Sequence, residues 1–88
     1  MESKSFKIQI ITEDNLNILA RIAGIFVRRH IPIKSIELVR NTAKEELQIT
    51  IKLSCEDNQL VKVVNQINKQ IDVLAATYTL EYKTLVTL

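Results

Sequence analysis

The stretch Glu13 to Ile36, EDNLNILARIAGIFVRRHIPIKSI, decides the fold: a polar turn, an amphipathic helix and the start of an apolar strand follow one another with almost no linker. From Asn15 onward Leu19, Ile22, Ala23 and Phe26 recur at spacings of three and four, with Arg21, Arg28 and Arg29 turned away, the pattern of a helix lying on a sheet. Asp14 or Asn15 is placed to cap its first turn. Arg28, Arg29 and His30 close the helix, where cations oppose the negative end of the macrodipole, and Pro32 forbids continuation. Ile33 to Val39 then reads as a strand.

Working outward, Lys4 to Thr12 sets Phe6, Ile8 and Ile10 on one side against Lys7 and Gln9, the period of two of a half-buried strand. Beyond a turn at Asn41 to Lys44, Leu47, Ile49, Ile51 and Leu53 alternate strictly with Gln48, Thr50, Lys52 and Ser54. Ser54 and Asp57 have the spacing of a capping box, and Leu60, Val63, Val64, Ile67 and Ile71 trace a second helical stripe ending near Gln70. Val73 to Tyr82 resumes alternation, with Leu74, Ala76, Tyr78 and Leu80 on one side. The order β-α-β-β-α-β predicts an α+β, ferredoxin-like sandwich: four antiparallel strands with both helices on one face. In that topology the second and fourth strands are edges. An open edge carrying Ile36, Leu38 and Val39 invites pairing with a second copy, so a homodimer is expected.

The chain has 88 residues, room for a single domain (1–88, core about 4–82) that is only marginally stable alone. Twelve basic against ten acidic side chains describe an ordinary globule with no mandate to coat nucleic acid or a membrane. One cysteine, Cys55, allows no internal disulfide, and neither a membrane span of roughly 18 apolar residues nor a signal peptide is legible, so the cytoplasm is the expected location.

Catalytic constellations are missing. His30 is the only histidine, so no histidine triad or multi-histidine metal site can form within one chain, and its place at a helix end accounts for it. Cys55 stands where a strand meets a helix, a position that lowers a thiol pKa, yet it has no second cysteine or base partner. Glu13 and Asp14 read as a solvated turn, Glu45 and Glu46 as a surface hairpin. Gly24, the sole glycine, is too isolated for a phosphate loop and is expected to let the helix approach a neighbouring backbone. The exposed side of the third strand offers Gln48, Thr50 and Lys52 where an RNA-recognition fold would stack aromatics, so nucleic acid is not an expected ligand. No catalytic residue, metal site or cofactor is expected.

The segment TEDNLNILARIAGIFVRRHIPIKSIEL, above all LARIAGIFVRR at Leu19 to Arg29, resembles the first half of the ACT domain in regulatory small subunits of acetohydroxyacid synthase, also called acetolactate synthase. The run NQINKQIDVLAA at Asn65 to Ala76 is similar to the same family's second helix and its passage into the fourth strand. The resemblance implies a non-catalytic partner of a thiamine-diphosphate large subunit that condenses two 2-oxoacids in branched-chain amino-acid synthesis. It further implies dimerisation through the edge strand and a branched-chain effector such as valine at the interface. The alternative under the same resemblance is a stand-alone ACT-domain amino-acid sensor with another enzyme partner.

Within the resemblance the effector loop departs from pattern. The family's loop reads like Asn-x-Pro-Gly-x-Leu, and the matching stretch here is Asp14-Asn15-Leu16-Asn17-Ile18-Leu19. Asp14 places a carboxylate where an amide would meet the effector, and Asn17 adds a side chain where bare backbone lets it approach. Pro32, where an asparagine often opens the second strand beside Ile33, removes an amide and a backbone donor. Asp14, Asn17, Ile18, Pro32 and Ile33 are thus the candidate effector residues, with weak, altered or absent feedback expected.

Overall fold

The strict alternation of the third strand becomes the centre of the molecule. The computed structural model describes residues 3–81, in the order β1 (Lys4–Glu13), α1 (Asn17–Arg28), β2 (Ile33–Asn41), β3 (Glu46–Cys55), α2 (Asp57–Asn68) and β4 (Val73–Leu80). Tyr82, expected to end the last strand and the domain core, lies outside the described residues, as do Lys83 to Leu88. The strands form one sheet in the order β2-β3-β1-β4, with every pairing antiparallel and β2 and β4 at the edges. This is the ferredoxin-like arrangement that the strand order predicts.

Register explains the core. Phe6, Ile8 and Ile10 lie opposite Leu53, Ile51 and Ile49, so the two central strands present one continuous apolar face. Ile18, Ile22, Ile25 and Phe26 of α1 and Leu60, Val63, Val64 and Ile67 of α2 close over it. Each such fully buried aliphatic or aromatic side chain contributes about 1.5–3 kcal/mol. The ring of Phe6 meets Tyr78 of β4 edge-on, with centroids 6.2 Å apart. The opposite sheet face, with Lys7, Gln9, Gln48, Thr50 and Lys52, carries no helix.

Several local expectations are corrected. The α1 stripe is centred on Ile18, Ile22, Ile25 and Phe26, with Leu19 only partly buried at its flank. Asn15, not Asp14, stabilises the helix start, its Oδ1 accepting from the Asn17 N–H at 3.1 Å. Ser54 caps nothing: its hydroxyl pairs with that of Ser5 across the β1–β3 ladder at 3.4 Å, and the α2 N-cap is Glu56, which makes no side-chain cap bond. Helix α2 stops at Asn68, and Ile71, read as its last core residue, is 85% exposed in the turn before β4. Along β4 only Ala76 is buried; Leu74, Tyr78 and Leu80 remain about half exposed on the open edge. Near Gly24 no backbone approaches; the nearest group to a Cβ there would be the guanidinium of Arg28 at 3.4 Å.

The end of α1 is a Schellman motif with a histidine in the place of glycine. His30 has φ 57°, and the Ile31 N–H donates to Phe26 O at 3.0 Å while the His30 N–H donates to Val27 O at 3.1 Å. Ile31 is buried beside the core that holds Phe26, which gives the motif its apolar clasp.

Candidate functional site

The β1–α1 loop, which carries Asp14 and Asn17, is tied down on two sides. Its Glu13 N–H donates to Asp72 O at 3.0 Å, and its Asp14 N–H donates to Glu45 O in the β2–β3 hairpin at 3.1 Å. Asp72, just before β4, accepts from Arg21 at 2.6 Å and from Asn15 Nδ2 at 3.2 Å. A buried Thr12 ends the helix-facing row of β1, its hydroxyl donating to Glu13 O at 2.9 Å. Loop, hairpin and α2–β4 turn therefore form one braced end of the molecule.

The Asp14 carboxylate is turned onto Arg40 of β2, with Oδ1 3.1 Å from both Nε and Nη2. Arg40 is the site residue that sequence reasoning missed. It lies far along the chain, and only the strand register brings it beside the loop. Glu13, Asp14, Glu45 and Glu46, with Lys44 and Leu74, line a shallow cleft at this end, which is acidic apart from one lysine. Among the described residues no three histidine, cysteine or acidic side chains converge to hold a metal.

The helix start is also internally satisfied. A helix N-terminus ordinarily offers unpaired N–H groups to an anion. Here the Asn17 N–H is taken by Asn15 Oδ1, the Ile18 N–H by Asn15 O at 3.0 Å and the Leu19 N–H by Leu16 O at 3.0 Å. Asn17 itself is exposed, whereas Ile18 is fully buried and supports the loop from below.

Pro32 and Ile33 sit at the other end of the sheet. Ile33 lies opposite Leu53 and Arg40 opposite Leu47, so the seven residue steps from Ile33 to Arg40 separate Pro32 from Asp14 by about 23 Å of strand. One chain thus does not unite the candidate effector residues: Asp14, Asn17 and Ile18 gather at one end, Pro32 and Ile33 at the opposite one. On the β2 edge Ile36 and Leu38 lie beside Ile51 and Ile49 and share the helix-covered face, Leu38 packed on the core and Ile36 44% exposed. Val39 points to the uncovered face.

Cys55 is buried at the end of β3 and is not a poised nucleophile. Burial, and then the charges of Asp57 and Glu56, push its thiol pKa up, the reverse of the shift expected for a strand-to-helix junction. Among the described residues no helix is long and apolar enough to cross a membrane.

Comparison with known proteins places this geometry. A domain model described as the AHAS small subunit-like ACT domain matches residues 8–75. The chain is 34% identical over 74 residues to the acetolactate synthase small subunit of Mycobacterium bovis, covering 84% of this chain and 44% of that protein. It is 38% identical over 61 residues to that of Bacillus subtilis, covering 68% and 36%. The chain therefore spans less than half the length of these relatives. In fold it is similar to an acetolactate synthase small subunit from Thermotoga maritima, with TM-score 0.75, 17% identity, and 85% of this chain and 47% of that one covered. It is similar also to the ACT domain of GTP pyrophosphokinase from Chlorobium tepidum, with TM-score 0.74, 16% identity, and 89% and 100% covered. From the helix-one motif, the strand order and the match across both helices, the chain belongs to the acetohydroxyacid synthase small-subunit family of ACT domains.

Proposed function

We propose that this chain is a non-catalytic regulatory small subunit that binds and activates the thiamine-diphosphate-dependent large subunit of acetolactate synthase. The observation that carries the reading is the family match over residues 8–75. The regulatory unit is a homodimer in which β2 pairs antiparallel with β2 of a second copy. Such pairing satisfies the open edge. It also carries Asp14 and Asn17 of one protomer toward Pro32 and Ile33 of the other, because the two groups lie at opposite ends of the same strand.

Valine or a related amino acid would bind there, and weakly. An effector needs donors for its carboxylate, yet the N–H groups of Asn17, Ile18 and Leu19 are engaged, Arg40 is neutralised by Asp14, and the adjoining cleft is acidic. Binding must break some of these contacts first, which lowers affinity by their worth. Feedback requires different effector affinity in two conformations, so a weakened site weakens regulation directly. Co-elution of this chain with the same organism's large subunit on gel filtration tests the reading: a shared peak supports it, and separate peaks at high concentration of both count against it.

A further inference from the structure

Arg29 at the end of α1 and Lys62, Asn65, Gln66 and Lys69 of α2 line one open cleft where the two helices meet. No carboxylate is among these residues, and none of the three cations takes part in an ion pair among the described residues. Lys7, Arg28, Lys34 and Lys44 are likewise unpaired there but do not line the cleft, which is what gathers Arg29, Lys62 and Lys69. Arg29 is held in place, its Nε donating to Gln66 Oε1 at 3.0 Å. Helix C-termini favour cations, which accounts for Arg29 and Lys69 singly. It accounts neither for Lys62, in the middle of α2, nor for the lack of any compensating acid, in a chain whose net charge is only +2.

The chemistry of the cleft selects its partner. Lys62, Asn65 and Lys69 are exposed, with no buried donor aimed inward, so nothing here encloses a small anion. Base stacking needs exposed aromatic rings, and of the described aromatics Phe6 and Phe26 are buried while Tyr78 lies on β4, away from the cleft. What remains is an open surface of ordered cation, flexible cations and amide groups, suited to carboxylates spread over another protein. We infer that the α1–α2 cleft is the docking surface for an acidic face of a protein partner. Resting on the regulatory reading above, that partner is the catalytic large subunit. Such charges steer association and fix register, and their effect falls with ionic strength.

The test is binding of the whole chain to the large subunit, by sedimentation or surface binding, at low and high salt. Lys62→Glu with Lys69→Glu reverses the cleft; Arg29 is kept because it braces Gln66. Lys7→Glu with Lys52→Glu, opposite each other on the central strands and on the sheet face that carries no helix, makes the same change in net charge away from the cleft and from the β2 edge. The cleft variant should bind at least about tenfold more weakly at about 0.01 M salt, where the Debye length is about 30 Å, and the deficit should shrink near 1 M, where it is about 3 Å. The control pair should bind like the unaltered chain. If the unaltered chain binds and both variants bind equally well, the docking surface is overturned while the regulatory reading stands. If the unaltered chain does not bind the large subunit at all, both fall. Uptake of a single-stranded RNA oligonucleotide that only the cleft variant loses would overturn the assignment to a protein partner.

Discussion

Asp14 and Arg40, 26 residues apart in sequence, form an ion pair at 3.1 Å that joins the β1–α1 loop to the edge strand β2. The Arg40 side chain is 45% exposed and that of Asp14 31%, so the pair adds only about 0.2–1 kcal/mol to stability. Its consequence is chemical: an arginine at the mouth of the candidate effector site already holds a carboxylate, one supplied by the chain itself.

Removing that internal carboxylate should restore ligand affinity. Asp14→Asn together with Asn17→Gly releases Arg40 and clears the side chain over the helix start. The double variant should bind valine, leucine or isoleucine at least about tenfold more tightly than the unaltered chain, about 1.4 kcal/mol, measured by calorimetry. Unchanged binding would move the block to Pro32 or to the N–H groups already engaged by Asn15.

The β2 edge makes a second prediction. Ile36→Glu with Val39→Glu places like charges on both faces of the edge strand. Sedimentation should show a dimer for the unaltered chain and a monomer for the variant, while circular dichroism stays unchanged, because neither side chain is buried. A variant of undiminished mass would exclude β2 pairing.

How much of this was legible beforehand follows from the range of each interaction. Leu47, Ile49, Ile51 and Leu53 announced a central strand because alternation is a local property, and the fold followed from element order. Ile71 misled because the three-and-four spacing runs on after the helix has ended, and only the chain's turn toward β4 reveals its exposure. Ser54 misled because capping-box spacing cannot show that the hydroxyl faces a serine on another strand. The candidate loop was readable as a sequence motif. Its partners Arg40 and Asp72 were not, since each contact depends on register or on a turn tens of residues away.

His30 offers a test of backbone strain. A residue other than glycine in the left-handed region costs about 1–2 kcal/mol, and the Schellman bonds require that conformation here. His30→Gly should therefore stabilise the domain by about 1 kcal/mol, raising Tm by about 4–8 °C for a domain of this size. A lowered Tm would mean that the imidazole makes a stabilising contact outweighing the strain.

Cys55 predicts a pH dependence. Its pKa in the fold is raised, first by burial and then by Asp57 and Glu56, while the unfolded chain ionises at the ordinary thiol value of about 8.5. The unfolded state thus loses its proton first as pH rises. The contribution to stability is complete below about pH 8.5 and is lost progressively above it, through the folded-state pKa. Urea midpoints should fall more steeply between about pH 8 and 10 for the unaltered chain than for Cys55→Ala. Parallel slopes would contradict the shift.

The most direct measurement is the rate of acetolactate formation by the same organism's large subunit, titrated with this chain and repeated with valine at a concentration that inhibits a feedback-sensitive enzyme. The account predicts a saturable rise in rate with little or no suppression by valine. No rise, with the two proteins eluting apart, would contradict the regulatory-subunit reading; a rise that valine abolishes would keep that reading and overturn the account of Asp14, Asn17 and Pro32.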